Sequence, residues 1–528
     1  MELTKEQQAI LTSFLKWDNL RINAFAWTWK TTTLKMLANS TKDKKFLVLA
    51  FNKKVADELT RQFPMNANAF TTHSFALKFI RDRIKFKVSW DKSLLPAIIE
   101  EFWVTYEQWW FLYKTFIDYC NSSLISINIL NVNRLIQAEE KLKIVFKKHI
   151  KWKLWFTRIL HILNQIQVKI LNWDIEMFHW FYLKYFQLHL DEFLPLMNYD
   201  IIMLDEWQDT NEVTIDIFNR LQWQKVIVWD SHQSIYWWRW AVDAMEKFDY
   251  KLHYLSTSFR INTDTAKKAD NILKHIKLEK NKFKEFFKDW APSNKKACMI
   301  FRTNTWIIRH IAYNVDETLD KIHFTRDVKD IFKMALDMEK VKRYYSTGDA
   351  DQLTRLPKWI LLIIDENDTA DKFEKFITTN VYDSEMVGSW KLSKDLNIFT
   401  LYYKALKVSA KYSNYYISTA HSVKWLEFDE VIIENDFASI FKILIEWFIW
   451  ELWYSKWKVK RMFFDKSQRS KSPMIQIMEE INLMYVAITR AIKTLDIKSK
   501  AIEEIIDTTA DNFLTKLQDV ESSMEEKA

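Results

Sequence analysis

The chain has 528 residues, 48% of them hydrophobic, and carries 77 Lys and Arg against 69 Asp and Glu, a net charge of +8. That length supports about three to four domains with sizeable cores; the charge is too modest to identify a partner, although it suits a surface that touches a polyanion over part of its area. Two cysteines, Cys120 and Cys298, at no metal-type spacing argue against a zinc site or a disulfide framework, and the polar start and the charges interrupting the most apolar stretch, 440–457, argue against a signal peptide or a membrane span.

The expected compartment is therefore a reducing cytoplasm. One count is abnormal. Ordinary usage would give about 37 glycines in a chain this long, yet there are 2 Gly and 26 Trp. The two together come close to an ordinary glycine count. Most Trp letters therefore stand where glycine is expected, for instance because a UGA codon read as glycine in the source was translated as Trp.

In chain order, the first chemical signal follows Ile22, where Ala24-Phe25-Ala26-Trp27-Thr28-Trp29-Lys30-Thr31 leads into the helix-forming run 32–39. With glycine at 27 and 29 this is a phosphate loop. Glycine there lets the backbone turn with positive φ and bring its N–H groups against phosphates, Lys30 reaches the β- and γ-phosphates, and Thr31 ligates Mg²⁺. A lone lysine on an ordinary strand–turn–helix is the plain alternative for this segment. The run 46–51 reads as a buried parallel strand, as do 199–204 and 225–228. Helical segments separate these runs, which predicts an α/β core with functional loops at the carboxyl ends of its strands. From about 84 to 194 the pattern is long, aromatic-rich and helical, an inserted helical subdomain. The strand 201–204 then delivers Asp205-Glu206-Trp207-Gln208-Asp209 to a strand end. Adjacent carboxylates at that place suit Mg²⁺ binding by Asp205 and orientation of an attacking water by Glu206. A solvated acidic turn is the alternative. A second α/β pattern starts near Tyr254, with strands at 297–302 and 430–434 and a further helical insertion at about 316–395; the tail from Val520 is polar and acidic.

Taken with WDSHQSIYWWRWA at 229–241, LSTSFR at 255–260, TAHSVKWLEF at 419–428 and LMYVAITRA at 483–491, the DEWQD motif resembles the UvrD/Rep family of superfamily 1 DNA helicases. Trp229, Trp240 and Trp425 fall on the family's glycines. The resemblance covers roughly 3–80, 196–262 and 415–495. It implies an α/β fold of two RecA-like parallel-sheet motor domains with helical insertions: 1–83 with 195–251, insertion 84–194, 252–315 with 396–519, reduced insertion 316–395, and acidic tail 520–528.

The resemblance also implies roles. Ala24, Ala26, Thr28 and Thr32 complete the nucleotide loop, Gln7 reads the adenine edge, Phe259 stacks on its ring and Glu427 lies near the ribose. Gln233 senses the γ-phosphate, and Arg260 with Arg490 act as arginine fingers, since charge spreading over phosphoryl oxygens needs well-placed cations. Phe51, Tyr236 and Trp238 match base-stacking positions; Asn52, Thr72, His73, Arg239, Thr419 and His421 match other DNA-contact positions. The segments FNKKVADEL and TTHSFA are similar to the F-box DNA helicase branch and phage relatives, although no F-box segment is seen. The implied activity is ATP- and Mg²⁺-dependent translocation 3′ to 5′ on single-stranded DNA, with unwinding of 3′-tailed duplex. One alternative stays open: if Trp27 and Trp29 are genuine, the chain is a non-catalytic DNA-binding relative. A nuclease–helicase fusion is not expected, since no domain-sized segment follows Ala491.

Overall fold

The computed structural model describes residues 3–81, 88–89, 95, 98–99, 101–102, 104–138, 153–172, 174–235, 248–258, 260–281, 283–285, 295–380, 384–465 and 474–526. The chain divides into two units, 1–256 and 257–528.

The first unit is built on strands β1 (Leu20–Ala24), β2 (Phe46–Ala50), β3 (Ala67–Thr71), β4 (Ile201–Leu204), β5 (Gln224–Trp229) and β6 (Lys251–Leu255). All pair in parallel, in the order β3-β2-β4-β5-β1-β6. Strands β2, β4 and β5 are buried along their whole length, which is why they read as unbroken apolar runs: helices cover both faces of a parallel sheet. Helix α1 (Lys5–Leu15) opens with a capping box between Thr4 and Gln7. Helices α2 (Lys30–Ser40), α3 (Lys53–Gln62) and α4 (Thr72–Ile80) follow the first three strands. The insertion contains α5 (Tyr106–Asn121), α6 (Ile129–Ala138), α7 (Lys153–Leu171) and α8 (His179–Leu188), and α9 (Glu212–Arg220) lies between β4 and β5. The expected boundary after Lys251 is displaced, because β6 pairs in register with β1 from Leu20↔Lys251 to Ala24↔Leu255.

The second unit carries β7 (Ala297–Phe301), β8 (His323–Phe324), β9 (Tyr415–Thr419), β10 (Phe428–Ile433) and β11 (Ala491–Ile497), again all parallel, in the order β8-β9-β7-β10-β11. Helix α10 (Asn304–Asn314) follows β7, and α11 (Val328–Thr347), α12 (Ser384–Asp395) and α13 (Ile398–Val408) precede β9. The region read as an insertion, 316–395, is less separate than expected. Phe324 lies in the sheet, and Ile331, Phe332 and Leu392 share one core with Phe301 and Ile417. Helix α14 (Met474–Ile488) precedes β11, and α15 (Phe513–Glu525) absorbs most of the acidic tail. Among the described residues no helix is long and apolar enough to cross a membrane.

Among the described residues, eight non-glycine residues have positive φ, and four of them are tryptophans: Trp17, Trp27, Trp29 and Trp453. Two mark helix ends. Trp17 follows α1, where its N–H donates to Phe14 O at 2.9 Å and that of Asp18 to Ser13 O at 3.3 Å. Trp453 follows the π-helical turn Ile445–Glu451, and the Tyr454 N–H closes back on Phe448 O at 2.7 Å. Left-handed residues just beyond a helix are usually glycine because any Cβ is penalised there.

Candidate nucleotide site

Strands β4, β5 and β1 are neighbours in the first sheet, so the loops at their carboxyl ends converge. From β1 the chain runs through Ala24, Phe25 and Ala26, all fully buried. Thr28 Oγ1 then closes on Phe25 O at 2.8 Å. Trp27 and Trp29 adopt φ 61° and 59°, the left-handed turn that the sequence demanded of glycine. Helix α2 starts at Lys30 with no side-chain hydrogen bond from its N-cap, Trp29; its positive end therefore faces the site without a capping side chain.

Lys30 crosses to β4, where Nζ lies 3.0 Å from Glu206 Oε1. Burial works against the ammonium, but Glu206, Asp230 and Asp205 outweigh it and hold its pKa above the ordinary value. Glu206 sits at φ 56°, a strained conformation that turns its carboxylate toward Lys30. Asp205 Oδ1 accepts the Glu206 N–H at 3.0 Å. From β5, Gln233 Nε2 donates to Asp230 Oδ2 at 2.7 Å.

Sequence reasoning gave Gln208 and Asp230 no role, although both lie within quoted motifs. Gln208 donates to the second oxygen of Glu206, and its own Oε1 accepts the Asp230 N–H at 3.1 Å. It ties the two strand-end loops together. Their signal was membership of those motifs, on loops after buried strands, and it carries no pairing information.

Other predicted residues fall as follows. Gln7 is buried and its amide donates to Thr33 Oγ1 of α2 at 3.2 Å, while its Oε1 accepts from Thr4 N at 3.1 Å. Thr31 and Thr32 lie in the first turn of α2. In the second unit, Glu427 forms an ion pair with Arg260. Arg490 is buried, its Nε donating to Val486 O at 2.9 Å and Nη1 to Lys424 O. Thr419 ends β9 with its hydroxyl 3.0 Å from Ser422 Oγ, and His421 lies in the turn that follows. Asn52 caps α3 by accepting the Val55 N–H at 2.9 Å, directly after Phe51. Thr72 opens α4, and the His73 ring meets Tyr182 edge-on at 5.4 Å. Tyr236, Trp238, Arg239 and Phe259 lie outside the described residues, as do Trp237 and Trp240.

Trp207, Trp229 and Trp425 are not among the residues of positive φ. Trp207 is fully buried, with its ring 5.4 Å from Phe218 and 5.1 Å from Phe248. A left-handed requirement therefore holds at 27 and 29 and not at these three.

A lysine at a helix start beside strand-end carboxylates has the chemistry to hold a nucleoside triphosphate. In comparisons with known proteins, residues 3–253 match the UvrD/REP helicase N-terminal domain and residues 160–501 match the UvrD-like helicase C-terminal domain. The chain is 26% identical to F-box DNA helicase 1 of Gallus gallus, over 97% of its own length and 50% of the relative's. It is 25% identical to F-box DNA helicase protein 1 of Schizosaccharomyces pombe, over 93% and 57% respectively. The chain thus spans about half the length of the curated relatives it matches. On the breadth of the domain matches, which together run from residue 3 to residue 501, the chain belongs to the UvrD-like helicase family.

Proposed function

We propose that the chain is an ATP-driven motor that moves 3′ to 5′ on single-stranded DNA and unwinds duplex with a 3′ tail, in DNA repair, recombination or replication. The observation that carries this reading is the Lys30–Glu206 pair at 3.0 Å, set among Asp205 and Asp230 beside a left-handed loop. The names of both relatives, DNA helicases, point the same way. Two buried free thiols, Cys120 and Cys298, suit a reducing cytoplasm.

In this reading Lys30 binds the β- and γ-phosphates, and their charge draws its ammonium away from Glu206. Glu206 is then free to orient the attacking water, while Asp230 holds Gln233 toward the γ-phosphate. Thr31 and Asp205 offer only oxygen donors, one hydroxyl and one carboxylate, which fits Mg²⁺ because that ion keeps places for phosphate oxygens and water. When bound, Mg²⁺ neutralises phosphate charge. Arg260 and Arg490 supply further cations, and Phe51, Tyr236 and Trp238 stack bases.

The working chain carries glycine at 27 and 29. A left-handed L-residue costs roughly 1–2 kcal/mol, and an indole at either place competes with phosphate for the backbone N–H groups. Half of the described non-glycine positions of positive φ are Trp, which favours misread glycine over genuine tryptophan. The test is to compare the unaltered chain with one carrying Trp27→Gly and Trp29→Gly. The altered chain should hydrolyse ATP when single-stranded DNA is added and open a duplex with a 3′ tail but not one with a 5′ tail. No DNA-stimulated hydrolysis in that chain would end the motor reading; opening from the 5′ tail would reverse the polarity.

A further inference from the structure

Helix α8 packs against α4, which carries the expected DNA contact His73, and against α9, which follows the Glu206 loop. Tyr182 and Phe186 form one stripe: Tyr182 meets His73 at 5.4 Å, and Phe186 meets Phe75 and Phe79 of α4 at 6.0 and 6.1 Å. Lys184 and Gln187 form the other stripe, roughly 150° away at 100° per residue. Both are fully buried. Lys184 Nζ donates to Ser122 O at 2.6 Å, Leu124 O at 2.8 Å and Gln187 Oε1 at 2.6 Å. Gln187 Nε2 donates in turn to Asp216 of α9 at 2.9 Å, and Gln187 O accepts from Arg220 at 2.8 Å.

The segment held by Lys184 also grips the start of α9. Ser123 N and Oγ each donate to Glu212 Oε2 at 3.2 Å, and Asn211 Nδ2 donates to Asn121 Oδ1 at 2.7 Å. Helix α9 begins three residues after Asp209, and the connecting turn is closed by Asp209 N on Glu206 O at 3.0 Å and Thr210 N on Trp207 O at 2.9 Å. A continuous set of contacts therefore runs from His73, the expected DNA contact, to the loop that aims Glu206 at Lys30.

An apolar interface can slide by small repacking. A buried ammonium with three fixed acceptors cannot, because any slip strands the charge. Burial already draws the Lys184 amine down to about 8, against the pull of Cys120, Asp216 and Glu212.

We propose that α8 is the coupling element between DNA and nucleotide in this unit, with Lys184 a positioning residue that makes α8 and α9 move as one. The proposal rests on the motor reading above. It places the stimulation of ATP hydrolysis by DNA, and not DNA affinity itself, under the control of Lys184.

The experiment uses the full chain with Trp27→Gly and Trp29→Gly as parent and compares it with Lys184→Met, His73→Ala and the double variant. For each, the ratio of DNA-stimulated to unstimulated ATP hydrolysis is measured with oligothymidylate, and its affinity by fluorescence anisotropy. Lys184→Met should lower the ratio about tenfold, a common size for coupling between sites, while affinity shifts by less than about threefold. The double variant should lose no more stimulation than the worse single one, as residues in series do. If Lys184→Met does not fold, Asp216→Asn, on the more exposed side of the same network, should lower the ratio by about threefold. A stimulated parent with an equally stimulated, folded variant overturns the coupling alone, as do losses that simply add. A parent with no stimulation overturns the motor reading and the coupling with it.

Discussion

The two units use the same element in opposite ways: in each, the first strand of a parallel sheet lies between two later strands and runs through a short loop into a helix. In the first unit the loop after β1 adopts left-handed turns and ends in Lys30. In the second, the loop after β7 is already occupied by the protein's own carboxylate. Asp436 accepts the N–H of Arg302 at 2.8 Å and that of Thr303 at 3.0 Å, and the Arg302 side chain lies 2.8 Å from Glu480. The strand–loop–helix unit thus supplies an anion-seeking helix start in both cases. In the second unit a carboxylate of the chain has taken the N–H groups of the loop, whereas in the first the loop leads into a lysine that faces strand-end carboxylates.

The largest effect that would break this contrast is on catalysis. Lys30→Ala or Glu206→Gln, made in the chain with Trp27→Gly and Trp29→Gly, should lower DNA-stimulated ATP hydrolysis by at least about a hundredfold while the chain still folds. Near-normal turnover by Glu206→Gln would remove that carboxylate from its role.

A second test addresses the filled loop. Burial pushes the Asp436 carboxyl up to about 6, against backbone hydrogen bonds from Arg302 and Thr303 that lower it. The folded state then holds a proton over a range where the unfolded chain has lost it, so this group's stabilisation is fully present below about pH 4 and is lost as pH rises through about 6. The loss should be on the order of 1–3 kcal/mol, and Asp436→Asn should flatten that part of a stability–pH profile. An unchanged profile would mean that the carboxylate is not buried as described.

The smallest effects sharpen the glycine question. Trp17→Gly and Trp453→Gly relieve left-handed strain just beyond helix ends, outside the phosphate-loop segment, and each should raise stability by roughly 1–2 kcal/mol without altering ATP binding. The codons should be UGA at 17, 27, 29 and 453. UGG at all four would end the misread-glycine account.

By itself the sequence determined which residues stand at the ends of buried strands. Lys30 and the Asp205–Glu206 pair were legible because an apolar run followed by polar residues is a local pattern, and a buried parallel strand must end in such a loop. The need for glycine at 27 and 29 was legible for the same reason, as backbone conformation belongs to a single residue. What tertiary structure alone decided is which loops meet. Gln208 linking Glu206 to Asp230 and β6 joining the first sheet could not be read along the chain, and the helices of 316–395 share the second unit's core for equally non-local reasons. Asp436 filling a loop 134 residues away is the clearest case. Such pairings depend on strand order and on close packing between distant segments, and neither leaves a periodic trace in the residues that make them.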